Sequence, residues 1–462
     1  MRCSFVPPYL LQHLAGESLD DPAGAPSRST LELDQRLRDQ RGNAPGRLPS
    51  VLGARAGAAA AQRVIHSADN GEQLPGRVVR SDGDPVSGDL AVDEAFDSSA
   101  QVWDLFAEVF DRPSVDGKGS PLSVTVHYGQ NYDNAFWDGT QLVFGDGDGD
   151  VFERFTKPMD VLAHEFTHGV TQFSAGLNYE GQPGALNESV SDVFASMAKQ
   201  RSLSQDAASA DWLIGEGLFV PGINAKALRS MLQPGTAYDD ARLGRDPQVG
   251  SMADYVETTD DNGGVHINSG IPNRAFALAA VAIGGPSWEK AGKVWYDALT
   301  SGEVTADTDF AGFAAATLSS AQRLFPDDPT VAGHIREAWE QVGVLAAEAP
   351  KPPADPAPVD AVPVAPVEQA RKVAVRRSGG FAGMTRTGEL DLDGDPQGAE
   401  VRRLLIQADL SRFVASPPSA DRFTYTVALG DWELAVPEQD LTPELHQVVR
   451  IVLDRSGAID LD

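Results

Sequence analysis

Three textures of apolar and polar spacing divide the chain. From about residue 55 to 160, short runs such as RVVRSDGD, LSVTVHYG and TQLVFGDGDGD are separated by Gly, Asp and Asn clusters. Runs of this length between turn residues predict β-strands. One stretch departs from this: Val102, Leu105, Phe106, Val109 and Phe110 recur at helical spacing. From Pro158 the period lengthens. MDVLAHEFTHGVTQF places Val161, Leu162, Phe166 and Val170 at helix-compatible positions. ALNESVSDVFASMAK, PNRAFALAAVAIGG, SWEKAGKVWYDALT, FAGFAAATLSSAQRLF and PTVAGHIREAWEQVG predict further helices. The third texture lies beyond residue 371. There KVAVRRSGGFAG, RFTYTVAL and WELAV predict strands, and PELHQVVRIVLDR one amphipathic helix.

The expected fold class is therefore α+β: a β-rich lobe over 55–160, a helical lobe over 161–347 and a small α/β domain over 371–462. Between the last two, APKPPADPAPVDAVPVAPVEQ predicts a semi-rigid polyproline linker over 348–370. At about 3.1 Å per residue it spans roughly 50 Å from Pro350 to Pro366. The first 54 residues are an apolar patch, Met1–Ala15, and a stretch rich in Arg, Asp, Gly and Pro. They cannot bury a core alone and need a surface to lie against.

Charge narrows the function. Against 37 basic residues stand 67 acidic ones, a formal charge of -30. That balance repels nucleic acid and anionic membranes and leaves carboxylates for hard cations. The single cysteine, Cys3, excludes an internal disulfide. No run reaches the ~18 apolar residues of a membrane helix, and Pro7 and Pro8 interrupt the apolar start that a Sec signal requires.

The chemistry centres on His164-Glu165-Phe166-Thr167-His168. On a helix, positions i and i+4 share a face, so both imidazoles can reach one Zn²⁺ at about 2.0–2.1 Å. Glu165 lies about 100° around the helix. It points beside the metal, where a base acting on water belongs. A catalytic zinc takes three protein ligands and keeps an open position. Glu188, on the next predicted helix, fits as the third. Asp192 follows at i+4 and can fix a ligand histidine's tautomer. Spacing alone leaves an ordinary acidic helix face as an equal reading of that pair.

HEFTHGVTQFSAGLNYEGQPGALNESVSDVF resembles the thermolysin family (gluzincins), whose third ligand lies in an NExxxD helix, as Asn187-Glu188 to Asp192 does here. DNAFWDGTQLVFGDGDG from Asp133, ALRSM over Ala227–Met231 and DNGGVHINSGIPN from Asp261 resemble further family segments in the family's order. The resemblance covers roughly residues 60–345 and implies a two-lobed thermolysin-like metalloprotease. It implies one zinc on His164, His168 and Glu188, and Glu165 as the base. It implies His266 and Tyr179 as donors to the developing oxyanion, with Asp261 orienting His266 and Asp192 orienting His164. Asn134 and Ala135 would hold the substrate backbone, and Arg229 the carbonyl after the cut. Phe152, Phe155, Val161 and Leu228 would line an apolar pocket for the residue after the cut, so cleavage precedes large hydrophobic residues. Asp160, Asp211 and Glu216 match calcium positions, but Lys199 and Leu213 stand where the family's double site has acids. At most one calcium is therefore expected. The EF-hand-like run GDGDGDVFE has Val151 where the loop needs glycine and reads as a turn.

CSFVPPYLLQHLA resembles the short propeptide of the protealysin-type subgroup, which implies a zymogen over 1–54. Its leader would cover the cleft and be cut near residues 40–60. Cys3 is more simply an apolar packing residue than a zinc-binding switch. VRRSGGFAGMTR (Val375–Arg386) and DRFTYTVAL resemble emfourin, a small inhibitor of such enzymes. The expected function is thus a zinc-dependent neutral endopeptidase regulated by its own ends. Its partners are peptide or protein substrates, its propeptide and its C-terminal domain, with no nucleic acid and no membrane. The alternative is a non-catalytic protease regulator acting through the tail, although the intact zinc set argues against a dead enzyme. The resemblance implies secretion despite the missing Sec signal; a cytoplasmic site is the alternative.

Overall fold

The computed structural model describes residues 4–16, 22–39, 62–346, 367, 370–379, 386–408, 423–430 and 432–453. Cys3, the expected cut region over 40–60 and nearly all of the Pro-rich stretch lie outside these residues. Two compact units emerge, Met1–Glu348 and Ala349–Asp462.

In the first unit five strands make one mixed sheet: β1 (Arg63–Ser67), β2 (Arg77–Ser81), β3 (Leu122–Val126), β4 (Ala135–Trp137) and β5 (Leu142–Phe144). Their order is β2-β1-β3-β5-β4. The β1–β3 and β3–β5 pairs are parallel, and β1–β2 and β4–β5 antiparallel. That order leaves β4 at an edge, with backbone groups free to pair with another chain segment. The helical spacing at Val102–Phe110 belongs to the end of a longer helix, α3 (Leu90–Asp104), and a π-turn over Leu105–Val109. The Asp89 carboxylate starts α3 by accepting from the Ala91 and Val92 N–H groups. Within the π-turn Phe106 stacks on Phe194 and tilts against Phe166, and just past it Phe110 meets Phe194 edge-on.

The helical lobe begins with α4 (Met159–Gln172) and α5 (Gly181–Ser202). Residues 184–200 of α5 are all buried, which is why its sequence lacks a polar stripe. Short strands β6 (Leu213–Ile214) and β7 (Arg229–Ser230) pair with each other, as do β8 (Asp239–Asp240) and β9 (Gly244–Arg245). Then come α6 (Asp261–Asn268), α7 (Gly270–Ile283), α8 (Ala291–Thr300), α9 (Phe310–Leu324) and α10 (Pro329–Gln341).

No element was assigned to the N-terminal leader from its sequence. It forms α1 (Pro8–Ala15) and α2 (Ala25–Asp39). Leu10 and Leu11 of α1 join the main core, and Leu33 of α2 packs on Tyr128, Tyr132, Phe136 and Val143. The surface it needs is thus the body of the first unit, and docking stabilises helices that the leader's sequence alone would not sustain.

The second unit is a four-stranded antiparallel sheet of β10 (Lys372–Gly379), β11 (Arg386–Asp391), β12 (Phe423–Leu429) and β13 (Trp432–Pro437), ordered β11-β10-β12-β13. Alternate residues Val373, Val375, Val427 and Leu429 are buried in one core with α11 (Gly398–Gln407) and α12 (Pro443–Leu453). Strand β11 and helix α11 were not expected from the sequence.

Candidate active site

Helices α4 and α5 bring His164, His168 and Glu188 together, with one ligand atom of each within 4.8 Å of the others. All three are buried. The His164 Nδ1 lies 2.8 Å from Asp192 Oδ1, and the His168 Nδ1 lies 2.9 Å from Asn187 Oδ1. These acceptors place the proton on Nδ1 of each ring and leave a lone pair on each Nε2. The two Nε2 atoms face each other at 3.0 Å. Glu188 Oε2 lies 3.3 Å from the first and Oε1 3.5 Å from the second. Two lone pairs and a carboxylate aimed at one buried point repel one another unless a cation sits between them. The donor set, two imidazoles and one carboxylate, suits Zn²⁺.

Glu165 is buried beside these ligands, and neither of its oxygens has a hydrogen-bond partner among the described residues. Burial pushes its carboxyl up to about 8. A nearby divalent charge favours the ionised form that a base requires. Burial alone would also raise Asp192, but the Arg229 guanidinium and His164 hold it at about 2. Asp192 thus binds His164 through one oxygen while both its oxygens accept from Arg229, at 2.8 Å each.

His266 arrives on α6, whose first residues are unusual. Asp261 and Asn262 adopt left-handed backbone, with φ of 51° for each. The turn folds the Asp261 carboxylate back onto its own helix. Oδ2 accepts from the His266 backbone N–H at 2.9 Å and Oδ1 lies 2.7 Å from Nδ1. Burial opposes a charge on His266, but Asp261 and Glu188 outweigh it and raise the imidazole's pKa. Tyr179, just before α5, donates its hydroxyl to Glu188 Oε1, and the Tyr179 hydroxyl oxygen lies 3.3 Å from His266 Nε2. A Cβ on Gly184 would come within 2.6 Å of Val265 and 2.9 Å of the Tyr179 carbonyl carbon, so glycine lets α5 approach this corner.

Opposite the zinc ligands, the edge of β4 is filled by the leader. Ser4 bridges Phe136 in antiparallel sense. The Phe5 N–H donates to the Ala135 carbonyl at 3.0 Å, and the Val6 N–H to Asn134 Oδ1 at 2.8 Å. Asn134 Nδ2 donates back to the Val6 carbonyl at 3.3 Å. Arg229 Nη1 donates to the Phe5 carbonyl at 3.1 Å, and His266 Nε2 lies 3.0 Å from the Ser4 carbonyl oxygen. The buried Phe5 ring stands edge-on to His164 at 5.1 Å.

Among the expected pocket residues, Leu228 and Phe5 both come close to Gly215, whose Cβ would lie 3.2 Å from Leu228 and 3.4 Å from the Phe5 ring. Phe152, Phe155 and Val161 are fully buried in the same core, the Phe152 ring tilted against Phe155 and Phe219. Sequence reading missed Gly215 and Phe5, because neither carries polar chemistry and the contact joins positions far apart in the chain.

Asp160, Asp211 and Glu216 also converge, but around Lys199. Its Nζ lies 2.9 Å from Asp211 Oδ2 and 3.0 Å from Glu216 Oε2. Burial pushes Asp160 up to about 6 and Lys199 pulls it back. One cation already stands among the expected calcium acids.

Comparison with known proteins agrees with this geometry. Residues 60–172 match the thermolysin metallopeptidase catalytic domain, residues 175–344 the thermolysin metallopeptidase alpha-helical domain, and residues 375–453 Emfourin. The chain is 49% identical over 344 residues to an extracellular metalloprotease of Pectobacterium carotovorum subsp. carotovorum, covering 74% of this chain and 96% of that one. It is 43% identical over 355 residues to Protease PrtS of Photorhabdus sp. (strain Az29), covering 75% and 93%. The structure resembles the precursor of protealysin, a metalloproteinase from Serratia proteamaculans, with a TM-score of 0.67 and 50% identity over 74% of this chain and all of that one.

Proposed function

The chain belongs to the thermolysin metallopeptidase family and is a zinc metallopeptidase with an inhibitor-like C-terminal domain, and we propose that it is an endopeptidase made with its own leader in the cleft. The observation that carries this is the leader's path along β4, with Phe5 between Arg229 and His164.

His164, His168 and Glu188 hold the zinc. The zinc, when bound, acidifies water and polarises a carbonyl. Glu165 takes a proton from the attacking water and passes it to the leaving amine. His266, kept charged by Asp261, and Tyr179 donate to the oxygen that gains negative charge. Such a donor contributes about 10²–10³ in kcat. Asn134 and Ala135 align the substrate backbone as an added strand. Arg229 takes the carbonyl following the cut, and the apolar space that Phe5 fills sets a preference for a large hydrophobic residue there. The leader makes these contacts itself, so substrate and leader exclude each other.

Relatives named extracellular support secretion, and no helix among the described residues is long and apolar enough to cross a membrane. The 371–462 domain acts on its own or a related peptidase; deleting it raises turnover if the target is its own cleft.

The test is hydrolysis of a blocked dipeptide with an apolar residue after the bond. It uses leader-processed protein with zinc, with chelator, and carrying Glu165→Ala. Zinc-dependent turnover that Glu165→Ala abolishes supports the reading. No turnover by folded, zinc-loaded protein sinks it.

A further inference from the structure

We infer that the leader's Ser4–Phe5 peptide bond is itself a substrate: the enzyme hydrolyses it in its own chain and releases Met1–Ser4. This rests on the peptidase reading and goes one step beyond leader blockage.

The argument is one of direction and register. A segment that only plugs a cleft has no need to present a carbonyl to the catalytic donors. This one does. The Ser4 carbonyl oxygen lies 3.0 Å from His266 Nε2, which also lies 3.3 Å from the Tyr179 hydroxyl and 3.5 Å from Glu188 Oε2. The next residue's N–H is held by the Ala135 carbonyl and its own carbonyl by Arg229. The bond between these anchored groups is Ser4 C to Phe5 N, and the Phe5 ring lies against the zinc ligand His164. The leader therefore runs in the sense in which a substrate would be cut.

The sequence also forbids slipping. Moving the chain by one residue so that Phe5–Val6 took the central place would bring Pro7 to Asn134 Oδ1, and proline has no N–H to donate. A further shift would bring Pro7 to the Ala135 carbonyl with the same loss. Slipping the other way would pull Phe5 out of its buried site and forfeit about 2–3 kcal/mol of apolar burial. Pro7 and Pro8 thus hold one bond at the centre.

The step balances. The water oxygen bonds to the Ser4 carbonyl carbon, Glu165 receives a water proton, and the Ser4 C–Phe5 N bond breaks. The proton passes to the Phe5 nitrogen, leaving a Ser4 carboxylate and a Phe5 α-amine. Cys3 departs with the tetrapeptide. The rest of the leader stays, because Phe5, Arg229 and helices α1 and α2 keep their contacts. The cut comes before leader removal and does not by itself empty the cleft.

The test uses the full chain, purified metal-free, then loaded with zinc, with intact mass and N-terminal sequencing over time at several dilutions. The expected result is a new N-terminus at Phe5 that appears at a rate independent of protein concentration. It is absent under chelator and in Glu165→Ala. Phe5→Leu keeps the cut, and Phe5→Gly slows it at least tenfold. A readout without zinc accompanies it: in metal-free protein, Phe5→Gly makes the leader at least tenfold more susceptible to trypsin. A chain that cleaves added dipeptide but keeps Met1–Ser4, or is cut first elsewhere in the leader, overturns the inference alone. A chain that cleaves neither added peptide nor itself overturns both this and the peptidase reading.

Discussion

Two clusters of charge in the helical lobe, one buried and one opening to solvent, solve the same problem in opposite ways. Around His164, His168 and Glu188 the chain gathers acceptors and lone pairs and supplies no cation. Around Asp160, Asp211 and Glu216 it gathers acids and supplies Lys199. Both draw on α4 and α5, through His164, His168 and Glu188 in one and Asp160 and Lys199 in the other, but Asp211 and Glu216 follow α5 and are exposed. The second differs in holding a basic side chain of its own and in having two of its acids at the surface. The first cluster depends on an external ion and gains chemistry from it. The second is complete within the chain and contributes only structure. A protein can therefore hold one of its metal-like sites open while closing another with four methylenes and an ammonium.

The strongest way to break that contrast is to strip the open cluster. Chelation removes turnover, and zinc restores it. Glu165→Gln, which leaves the ligands in place, lowers kcat/KM by about 10²–10⁴ with zinc content by metal analysis unchanged. Full activity in this variant would move the base elsewhere.

Opening the closed cluster is the next largest effect. Lys199→Met leaves Asp160, buried and already short of partners on Oδ1, without its cation. Removing one partner of a buried pair costs about 3–5 kcal/mol. Because Asp211 and Glu216 reach solvent, about 2–4 kcal/mol is expected in denaturant unfolding. Millimolar calcium should then raise the Tm of the variant more than that of the wild type. Equal shifts would show that Lys199 does not stand in for an ion. A smaller effect tests the residue joining the zinc ligands to the cleft. Asp192→Asn weakens the support of both His164 and Arg229. Zinc affinity should fall about 10–100-fold in competition with a chromophoric chelator.

Legibility follows the same division between local pattern and distant contact. The zinc ligands were readable because i, i+4 spacing and a following acidic helix encode them within a short stretch. Lys199 was readable as an intruder for the same reason. The leader helices were not. Among the described side chains of α2, Leu33 alone packs on the aromatic patch, and that patch comes from residues about 100 positions away. Strand β11 was hidden by its edge position: RTGELD buries only Leu390. Its Gly388 looks like a turn residue but serves a close approach, since a Cβ there would meet the Val452 carbonyl oxygen at 2.3 Å. Helix α11 carries Val401, Leu404 and Leu405 at helical spacing, but over too short a run among charges to stand out.

A third buried acid has neither zinc nor lysine, and it gives the smallest and most particular prediction. Asp133 lies beneath the leader helix α2, its backbone N–H donating to Thr30 Oγ1 at 3.0 Å, with neither carboxyl oxygen hydrogen-bonded among the described residues. Its neighbours Tyr132 and Asn134 hold Asp34 of α2, at 2.5 and 3.1 Å. Burial, then the charge of Asp148, pushes Asp133 up to about 8 from 3.8. The sign follows from linkage. Between pH 4 and 8 the folded protein with its leader docked keeps a proton that the unfolded chain has lost. Stability from this residue is therefore complete below about pH 4, falls as pH rises and reaches its floor above about 8. Asp133→Asn, neutral at every pH, should flatten the fall in Tm from pH 5 to 9 and leave the leader-bound chain about 1–2 kcal/mol more stable at pH 8. Parallel profiles for the two proteins would mean that Asp133 is ionised under the leader.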